Sequence, residues 1–404
     1  MIEHRGTALV ESSSLIRSLS ARLPGVSDDP YQDPAGLLQA LARIPDPRDR
    51  RGRVHSLSSL LAVTVGAVAA GQRSVSAIGE WAADLPVDIL AGLEVSRDRF
   101  TGGFLVPDAS TIGRLLARLD AEAVEAALTE WLLTRTNLRS AAGRRAVAVD
   151  GKTLRGSGRP GDQVHLLAAL DHHNGAVLGQ TAVDGKTNEI TRFQPLLSGL
   201  DLTDAVVTAD AMHAQREHAR WLTEEKRAGY LFTVKRNQPR LFRQLKALPW
   251  AKVPVLDVTR DRGHGRREIR RLQAVTCHGV LALDFPHAVQ AVRIRRRRYH
   301  PRTGRASTVT VYAITNLTAG QAKPSDLAGW LRGHWLIESL HYIRDVTFGE
   351  DASQVRTGSA PQALAAVRNL VISLLRLAGA TNVAKALRHN SRKPHRSLQL
   401  LGIA

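Results

Sequence analysis

The sequence predicts a mixed α/β protein in which an all-α segment precedes a mixed β-sheet covered by helices. Apolar residues recur at three- and four-residue spacing from about residue 33 to residue 140, which is the period of an amphipathic helix. Short β-rich runs begin at about residue 141, and helical spacing returns after residue 324. Strands that alternate with helices indicate a mixed sheet with helices packed on it.

The N-terminal part of the chain contains several amphipathic helix patterns. They are PAGLLQALARI, residues 56–71, SVSAIGEWAADL, DASTIGRLLARLD and AEAVEAALTEWLLTRT. Asp108 and Ser110 are suitable N-caps for the fourth pattern. That pattern is also compatible with half of a helix-turn-helix, although a capped amphipathic helix is much commoner. We therefore predict a helical N-terminal accessory domain over residues 1–140.

The pattern of residues 141–404 predicts a mixed α/β domain. The runs RRAVAVDG, VHLLAALDHHNG and AVLGQTAVDG predict three adjacent antiparallel strands, because each ends in Asp or Asn near Gly. A helix, the strand DAVVTAD, a second helix and the strand YLFTVK follow. Residues 250–318 are β-rich again and predict an insertion, after which the chain ends in C-terminal helices.

Composition limits the class of protein. Lys and Arg outnumber Asp and Glu by 56 to 37, a formal net charge of +19 that would attract a polyanion such as nucleic acid. The single cysteine, Cys277, excludes an internal disulfide framework and a Cys-rich zinc site. No signal-peptide pattern is evident, and residues 56–71 fit a buried helix better than a membrane span. We therefore expect a cytoplasmic protein with no membrane partner.

Two predicted strands end on an aspartate, Asp150 in AVAVD and Asp210 in AVVTAD. Strand ends on the same side of a sheet bring together groups from different segments. An aspartate after a strand more commonly forms a turn or caps a helix, and for each residue taken alone both interpretations stay open.

A third carboxylate, Glu338, lies on a predicted helix that follows the insertion. Glu338, His341 and Asp345 share one helix face, with His334 one turn earlier. In a basic protein, a group of carboxylates is explained by phosphodiester chemistry, in which carboxylates bind metal ions. Two Mg²⁺ ions activate the attacking oxygen and stabilise the leaving one, and such hard cations prefer carboxylate ligands.

The motifs around these residues have a recognisable order along the chain. They are VAVDGKTLRGS, HLLAALDHHNGAVLGQTAVDGKTNEI, VVTADAMHAQ, GYLFTVKRNQPRLF, DRGHGRREIRRL and RGHWLIESLHYIRDVTFGEDASQVRTGSAPQALAAVRNL. This set resembles the DDE transposases of bacterial insertion sequences, and most resembles the branch that includes the H-repeat-associated proteins. The segments DPRDRRGRVHSLSSLLAVTVGAVAAGQRSVSAIGEWA and VPDASTIGRLLARLD are similar to the helical accessory domain of that branch. The resemblance covers nearly the whole chain.

The resemblance implies a ribonuclease-H-like catalytic domain in which the first Asp ends strand one, the second ends strand four and the Glu lies on a later helix. By motif, these are Asp150 in VDGK, Asp210 in TADAMH and Glu338 in HWLIE. The implied activity is cleavage of DNA at element ends and transfer of the 3′-hydroxyl into target DNA. The implied cofactor is a pair of Mg²⁺ ions, with Mn²⁺ as a substitute. The implied assembly is a homo-oligomer on DNA.

One motif departs from the family pattern. Hairpin-forming relatives have a Tyr, Arg, Glu, Lys signature where this chain has Leu331, His334, Glu338 and Asp345. Processing of the DNA end through a hairpin is therefore open, and Asp345 and Glu350 are alternative metal ligands to Glu338.

Several polar residues near the motifs have two interpretations each. His213 and Gln215 could contact the scissile phosphate or begin a helix, and His341 could support the site from the Glu338 helix. Glu189 could lie near the metals, but an acidic residue at the start of a helix is the favoured interpretation. Lys152 could neutralise phosphate or cover the sheet edge.

Basic and amide side chains form the predicted DNA contacts. Lys235, Asn237 and Gln238 could contact DNA or form a solvated loop. In RIRRRRYHPRTGR, alternate strand residues face opposite sides, so at least one side meets solvent or phosphate. We predict DNA contacts from Arg293, Arg295, Arg296, Arg297 and Arg298, with Arg262 and Arg266 from DRGHGRRE in the same insertion. His264, in that second motif, lacks the spacing of a zinc site.

Three functions remain open from the sequence. The first is a Mg²⁺-dependent transposase. The second is a ribonuclease-H-like nuclease that cuts without joining. The third is an inactive DNA-binding relative.

Overall fold

A computed structural model describes residues 36–136, 143–183, 188–263 and 265–403. The N-terminal helices are α1 (Leu37–Ala42), α2 (Leu57–Ala69), α3 (Val75–Ala83), α4 (Val87–Gly92), α5 (Ala109–Arg118) and α6 (Ala121–Thr134). Asp108 caps α5 by accepting a hydrogen bond from the Thr111 amide. Ser110 lies inside that helix and is not a cap. Every residue of α2 is buried, as expected of a core helix.

The central feature is a β-sheet with strand order β3-β2-β1-β4-β5-β9-β8-β7-β6. Its strands are β1 (Ala146–Thr153), β2 (His165–Asp171), β3 (Val177–Val183), β4 (Val206–Ala209), β5 (Gly229–Val234), β6 (Asp257–Gly263), β7 (Arg266–Thr276), β8 (Gln290–Tyr299) and β9 (Ala306–Thr315). Strands β1 to β3 are antiparallel neighbours, as predicted, whereas β1, β4 and β5 run parallel. The sheet is therefore mixed.

The β-rich residues predicted as an insertion extend this same sheet. Strand β9 pairs antiparallel with β5, and β8, β7 and β6 follow it in an antiparallel ribbon. This pairing covers the edge of β5, whose backbone groups would otherwise lack strand partners. Residues 306–311 of β9 continue past the C-terminal end of β5, because Tyr312 pairs with Val234. The far half of the ribbon thus projects from that end of the sheet.

Helices cover both faces of the sheet. The helices of the middle region are α7 (Glu189–Ser198), α8 (Arg216–Arg220) and α9 (Pro239–Ala247). The helices after the ribbon are α10 (Pro324–Gly333), α11 (Trp335–Tyr342), α12 (Ala360–Leu377), α13 (Val383–Asn390) and α14 (Pro394–Leu401). One core cluster joins the N-terminal helices to α11, α12 and the β1 residue Ala148, and another joins α7 to α9 with the β1 residues Val147 and Val149. Successive residues of β1 therefore face opposite sides of the sheet, toward one core cluster or the other.

Candidate active site

Asp150 and Asp210 lie beside each other because of strand register. The parallel ladder between β1 and β4 ends at the pair Val149 and Ala209, and each aspartate is the next residue. The prediction that strand β1 ends at Asp150 was wrong, because the strand continues to Thr153. It does so because β2 still pairs with it after β4 has ended, so Gly151 and Lys152 are strand residues rather than an exit from the strand.

Asp210 is held by contacts from its own turn and from β5. Its carboxylate accepts hydrogen bonds from the Ala211 amide at 2.7 Å, Thr233 Oγ1 at 3.0 Å and Lys235 Nζ at 2.9 Å. Burial acts to raise the pKa of Asp210, but the Lys235 ammonium and these hydrogen bonds outweigh it and lower the pKa. Asp210 is therefore stabilised as a carboxylate.

The helix α11 presents Glu338 toward the same region. Ile337 and Leu340 of this helix are buried in the core, which turns Glu338 outward, with the exposed aromatic residues Trp335 and Tyr342 one turn to either side. His341 of the same helix places Nδ1 3.7 Å from Asp150 Oδ2, and burial lowers the pKa of His341 to about 3. A neutral imidazole thus lies beside Asp150.

The pKa of Asp150 is raised by burial and by neighbouring carboxylates. Its pKa is raised from 3.8 to about 6, mainly by burial and to a smaller extent by the negative charges of Glu189, Asp210 and Glu338, while the hydrogen bond from the Gly151 amide acts to lower it. Three other carboxylates therefore act electrostatically on Asp150.

A chain of hydrogen bonds connects α11 to the sheet beneath the carboxylates. His334 Nδ1 lies 3.0 Å from Thr208 Oγ1, and His172 Nε2 lies 3.1 Å from the same oxygen. Burial lowers the pKa of both histidines to about 4. His334 occupies the position of the arginine in the hairpin signature, and in this chain it fixes the start of α11 on β4.

The alternative ligands Asp345 and Glu350 have other partners. Glu350 is 2% exposed and accepts hydrogen bonds from Arg344 Nε at 2.8 Å and Arg368 Nη1 at 3.0 Å. Asp345 Oδ1 lies 2.7 Å from Lys152 Nζ, which also contacts Asp351 at 3.2 Å. Lys152 is thus buried in ion pairs with the segment that follows α11.

Glu189 does not cap its helix. Asn188 is the N-cap of α7 and accepts a hydrogen bond from the Ile190 amide. The Glu189 carboxylate instead accepts hydrogen bonds from His165 Nε2 at 2.7 Å and His213 Nε2 at 3.1 Å. Although burial acts to raise its pKa, these histidines lower the pKa of Glu189 to about 2.

The amides after β5 hold the loop that carries Asp210. Asn237 donates to the Ala211 carbonyl oxygen at 2.8 Å, and Gln238 donates to the Ala214 carbonyl oxygen at 3.1 Å. Gln215 donates to the Met212 carbonyl oxygen at 2.7 Å and precedes α8. Lys235 remains 64% exposed while it contacts Asp210. Of these residues, Lys235 is the one that presents charge to solvent.

The donor set suits a hard divalent cation, although the side chains do not enclose one. Among the described residues, no three acidic, histidine or cysteine side chains converge closely enough to hold a metal ion. Asp150, Asp210 and Glu338 nevertheless offer the carboxylate oxygens that Mg²⁺ and Mn²⁺ prefer. A cation would also offset the burial and the repulsion from neighbouring carboxylates that together raise the pKa of Asp150.

The ribbon separates its arginines onto two faces. On one face, Arg295 pairs across strands with Arg271, and Arg267 pairs with Arg262. Like charges that lie directly opposite each other destabilise a sheet. The exposed arginines of this face, here called the free face, are Arg260, Arg262, Arg267, Arg271, Arg295 and Arg297. No ion pair to any of them is formed by the residues that the structure describes.

The second face of the ribbon carries its own acidic partners. Glu268 lies 2.7 Å from Arg298 Nε, forms a close ion pair with Arg270 and lies 4.0 Å from Arg266 Nε. Arg296 lies on this face and is partly buried. Arg293 lies on the same side of β8 as the free face, but it is partly buried. Its guanidinium packs over the Trp250 ring, and its Nε donates a hydrogen bond to Gln273 Oε1 at 2.8 Å. His264 lies outside the described residues.

Sequence reasoning missed some residues near the carboxylates and some arginines of the ribbon. His165 and Gly151 were not singled out as partners of Glu189, because they come from β2 and β1 and no local pattern connects them. Arg260 and Arg271 were also missed. Arg260 lies two residues before Arg262, and Arg271 lies two residues after Ile269, so each pair shares one face of its strand. The pairing between strands was needed to show that this face also carries Arg295.

Comparisons with known proteins identify the family of this chain. A family model described as a transposase DDE domain matches residues 141–374, and a model described as DDE_Tnp_1-associated matches residues 38–132. YncI of Escherichia coli O157:H7 is 31% identical over 361 residues, which cover 84% of this chain and 87% of that protein. The H repeat-associated protein YhhI of E. coli K12 is 29% identical, with 84% of this chain and 90% of that protein covered. Both names describe inferred transposases.

A membrane-spanning helix is not found in the described part of the chain, since none of its helices is both long enough and apolar enough.

Proposed function

Since this chain belongs to the transposase DDE domain family, in the branch of the H-repeat-associated proteins, we propose that it cleaves DNA at the ends of an insertion sequence and joins the 3′-hydroxyl to target DNA. Asp150, Asp210 and Glu338 are its catalytic carboxylates. The observation that carries this assignment is the joint register of Asp150 and Asp210, together with the raised pKa of Asp150 beside Glu338.

The strand arrangement supports a ribonuclease-H-like core. In the order β3-β2-β1-β4-β5, the first three strands are antiparallel neighbours and the last two run parallel to β1. Asp150 follows the end of the β1 and β4 ladder, and Asp210 follows β4 itself. Residues 1–140 as an accessory domain and 141–404 as the catalytic domain remain our proposed division.

We assign the metal ligands to the same three carboxylates. Bound Mg²⁺ or Mn²⁺, as a pair of ions, would activate the attacking oxygen and stabilise the leaving oxygen. The chain itself orients these ligands. The turn after β4 and the Thr233 hydroxyl fix the Asp210 carboxylate, while the buried neighbours of Glu338 fix the direction of its side chain. Lys235 is free to exchange Asp210 for a DNA phosphate, because most of its side chain is exposed.

The free face of the ribbon is the proposed contact with the DNA backbone. It carries exposed arginines that lack acidic partners among the described residues, and the half of the ribbon that bears them projects from the end of the sheet where Asp150 and Asp210 lie. Arg262, Arg295 and Arg297 keep the DNA role predicted for them. Assembly of several copies on DNA and a cytoplasmic location remain predictions.

A strand-transfer assay tests the function. Purified protein is mixed with DNA that carries the inverted repeats of its own genomic locus, a supercoiled target and Mg²⁺ or Mn²⁺. We expect cleavage and joined product from the natural protein and neither from Glu338→Gln. Glu122→Gln is the matched control, because Glu122 is likewise an exposed carboxylate in the first turn of a helix.

The outcomes separate the three functions. Cleavage without joining would favour a nuclease, and binding without cleavage would favour an inactive relative. Full cleavage by Glu338→Gln would refute the assignment of that residue.

A further inference from the structure

Glu189 connects three separate segments around the candidate active site. His165 lies on β2, His213 lies in the turn that begins at Asp210, and Gly151 lies on β1 directly after Asp150. The carboxylate of Glu189 accepts hydrogen bonds from both histidines, at 2.7 Å and 3.1 Å. It is therefore a bridge between the strand that carries one catalytic aspartate and the turn that carries the other.

Gly151 provides the space for this bridge. A Cβ atom added at residue 151 would overlap the carboxylate carbon and both carboxylate oxygens of Glu189. The glycine is not required by its backbone angle, since its φ is not positive. Its role is the close approach of the carboxylate to the backbone of β1.

The histidines are themselves fixed. His165 Nδ1 lies 2.8 Å from Thr153 Oγ1, across the ladder between β1 and β2. His213 is 1% exposed, its ring packs against Phe193, and its carbonyl oxygen lies 3.2 Å from His218 Nδ1. A movement of the Glu189 carboxylate would therefore be transmitted to the Asp210 turn.

We propose that Glu189 is a positioning residue that fixes the Asp210 turn against β1 and thereby sets the separation of the Asp150 and Asp210 carboxylates. The Glu189 side chain is 11% exposed, and each of its carboxylate oxygens accepts a hydrogen bond from one histidine, His165 or His213. This inference rests on the proposed function of Asp150 and Asp210.

The first experiment replaces the carboxylate by an amide of the same shape. Because residues that orient metal ligands typically contribute about 10- to 100-fold to metal affinity or activity, Glu189→Gln should lower kcat and the calorimetric affinity for Mn²⁺ by about tenfold or more. The affinity for DNA without metal should stay unchanged, which shows that the variant is folded.

Glu224→Gln is the matched control. Glu224 also accepts a hydrogen bond from a histidine, His287, at 2.7 Å, but this pair is exposed and lies away from the aspartates. The control should keep both kcat and Mn²⁺ affinity. Natural values of both quantities in Glu189→Gln would overturn the proposal.

A second experiment uses the space at residue 151. Gly151→Ala alone should reduce kcat because its Cβ displaces Glu189. In Gly151→Ala with Glu189→Ala, the obstructing carboxylate is gone, so the double variant should be no worse than Glu189→Ala alone. Gly179→Ala is the control, since a Cβ there would lie 3.4 Å from Leu196 Cδ1, an ordinary contact.

The two experiments distinguish this inference from the proposed function. Strictly additive losses in the double variant would refute the bridge between Gly151 and Glu189, even if the protein is an active transposase. Failure of the natural protein to cleave DNA would refute the function, while Mn²⁺ binding would still test the role of Glu189.

Discussion

The free face of the ribbon makes a quantitative prediction about the salt dependence of DNA binding. We consider a triple variant in which Arg271, Arg295 and Arg297 are each replaced by Gln. All three side chains are exposed on neighbouring strands, and none forms an ion pair with another described residue. Their loss should therefore remove phosphate contacts without exposing an unpaired acidic group.

The magnitude follows from counterion release. Each phosphate contact contributes about 0.9 to the slope of log K against log salt, so three lost contacts should flatten the slope by about 2.7. Between 50 and 200 mM salt, the natural protein should then lose about 40-fold more affinity for duplex DNA than the triple variant does. Fluorescence anisotropy with a labelled duplex, in the absence of divalent metal, measures both slopes.

The control separates a local contact from a general effect of charge. Replacing Lys385, Arg388 and Arg392 by Gln removes the same number of positive charges from the formal +19 at exposed positions in and after α13. We expect the slope of this control to stay close to that of the natural protein. Equal flattening in both triple variants, or no flattening in the ribbon variant, would refute the assignment of the free face to DNA.

Three further predictions concern the carboxylates. Asp150 has a folded pKa of about 6 against the usual 3.8, so the folded state should lose stability relative to the unfolded state as pH rises from about 4 to 6. Without metal, Asp150→Asn should therefore be more stable than the natural protein at pH 7, by about 1–3 kcal/mol, and equal to it below pH 4, as measured by urea unfolding. Glu350→Ala should lower the free energy of unfolding by about 3–5 kcal/mol, because it leaves Arg344 and Arg368 buried without their counter-ion. Glu338→Gln should leave the thermal midpoint within a few degrees of the natural value while it abolishes cleavage, since Glu338 is exposed; a large fall in the midpoint would indicate a structural role instead.

The sequence predicts the parts of the site that depend on local patterns. The runs before Asp150 and Asp210 predict strands, and in the structure those strands are parallel neighbours whose ladder ends just before each aspartate. The spacing around Glu338 predicts a helix, and in the structure Ile337 and Leu340 form the buried side of that helix. The resemblance to DDE transposases selects these residues from many other acidic positions, and the family model matches the part of the chain that contains them, residues 141–374.

Contacts between distant segments were not predictable in the same way. The favoured interpretation of Glu189 as an acidic residue that begins a helix was reasonable, because it stands in the first turn of α7. Its actual partners lie 24 residues away in either direction. Tertiary contacts bring them together: the sheet register places His165 beside Thr153, and the turn after β4 carries His213.

The distinction between Glu338 and Glu350 depends on the same kind of contact. Both are glutamates in the segment after α10, and both could supply a carboxylate to a metal. Glu350 is enclosed by Arg344, six residues before it, and by Arg368 of α12, eighteen residues after it. A buried carboxylate with two guanidinium partners is already neutralised, so withdrawing it toward a metal would leave both arginines unpaired. Binding of a metal by Glu338 would break no ion pair of this kind, because its side chain is exposed and acts electrostatically on Asp150. The ion pair between Arg344 and Glu350 instead anchors the end of the helical segment that carries Glu338.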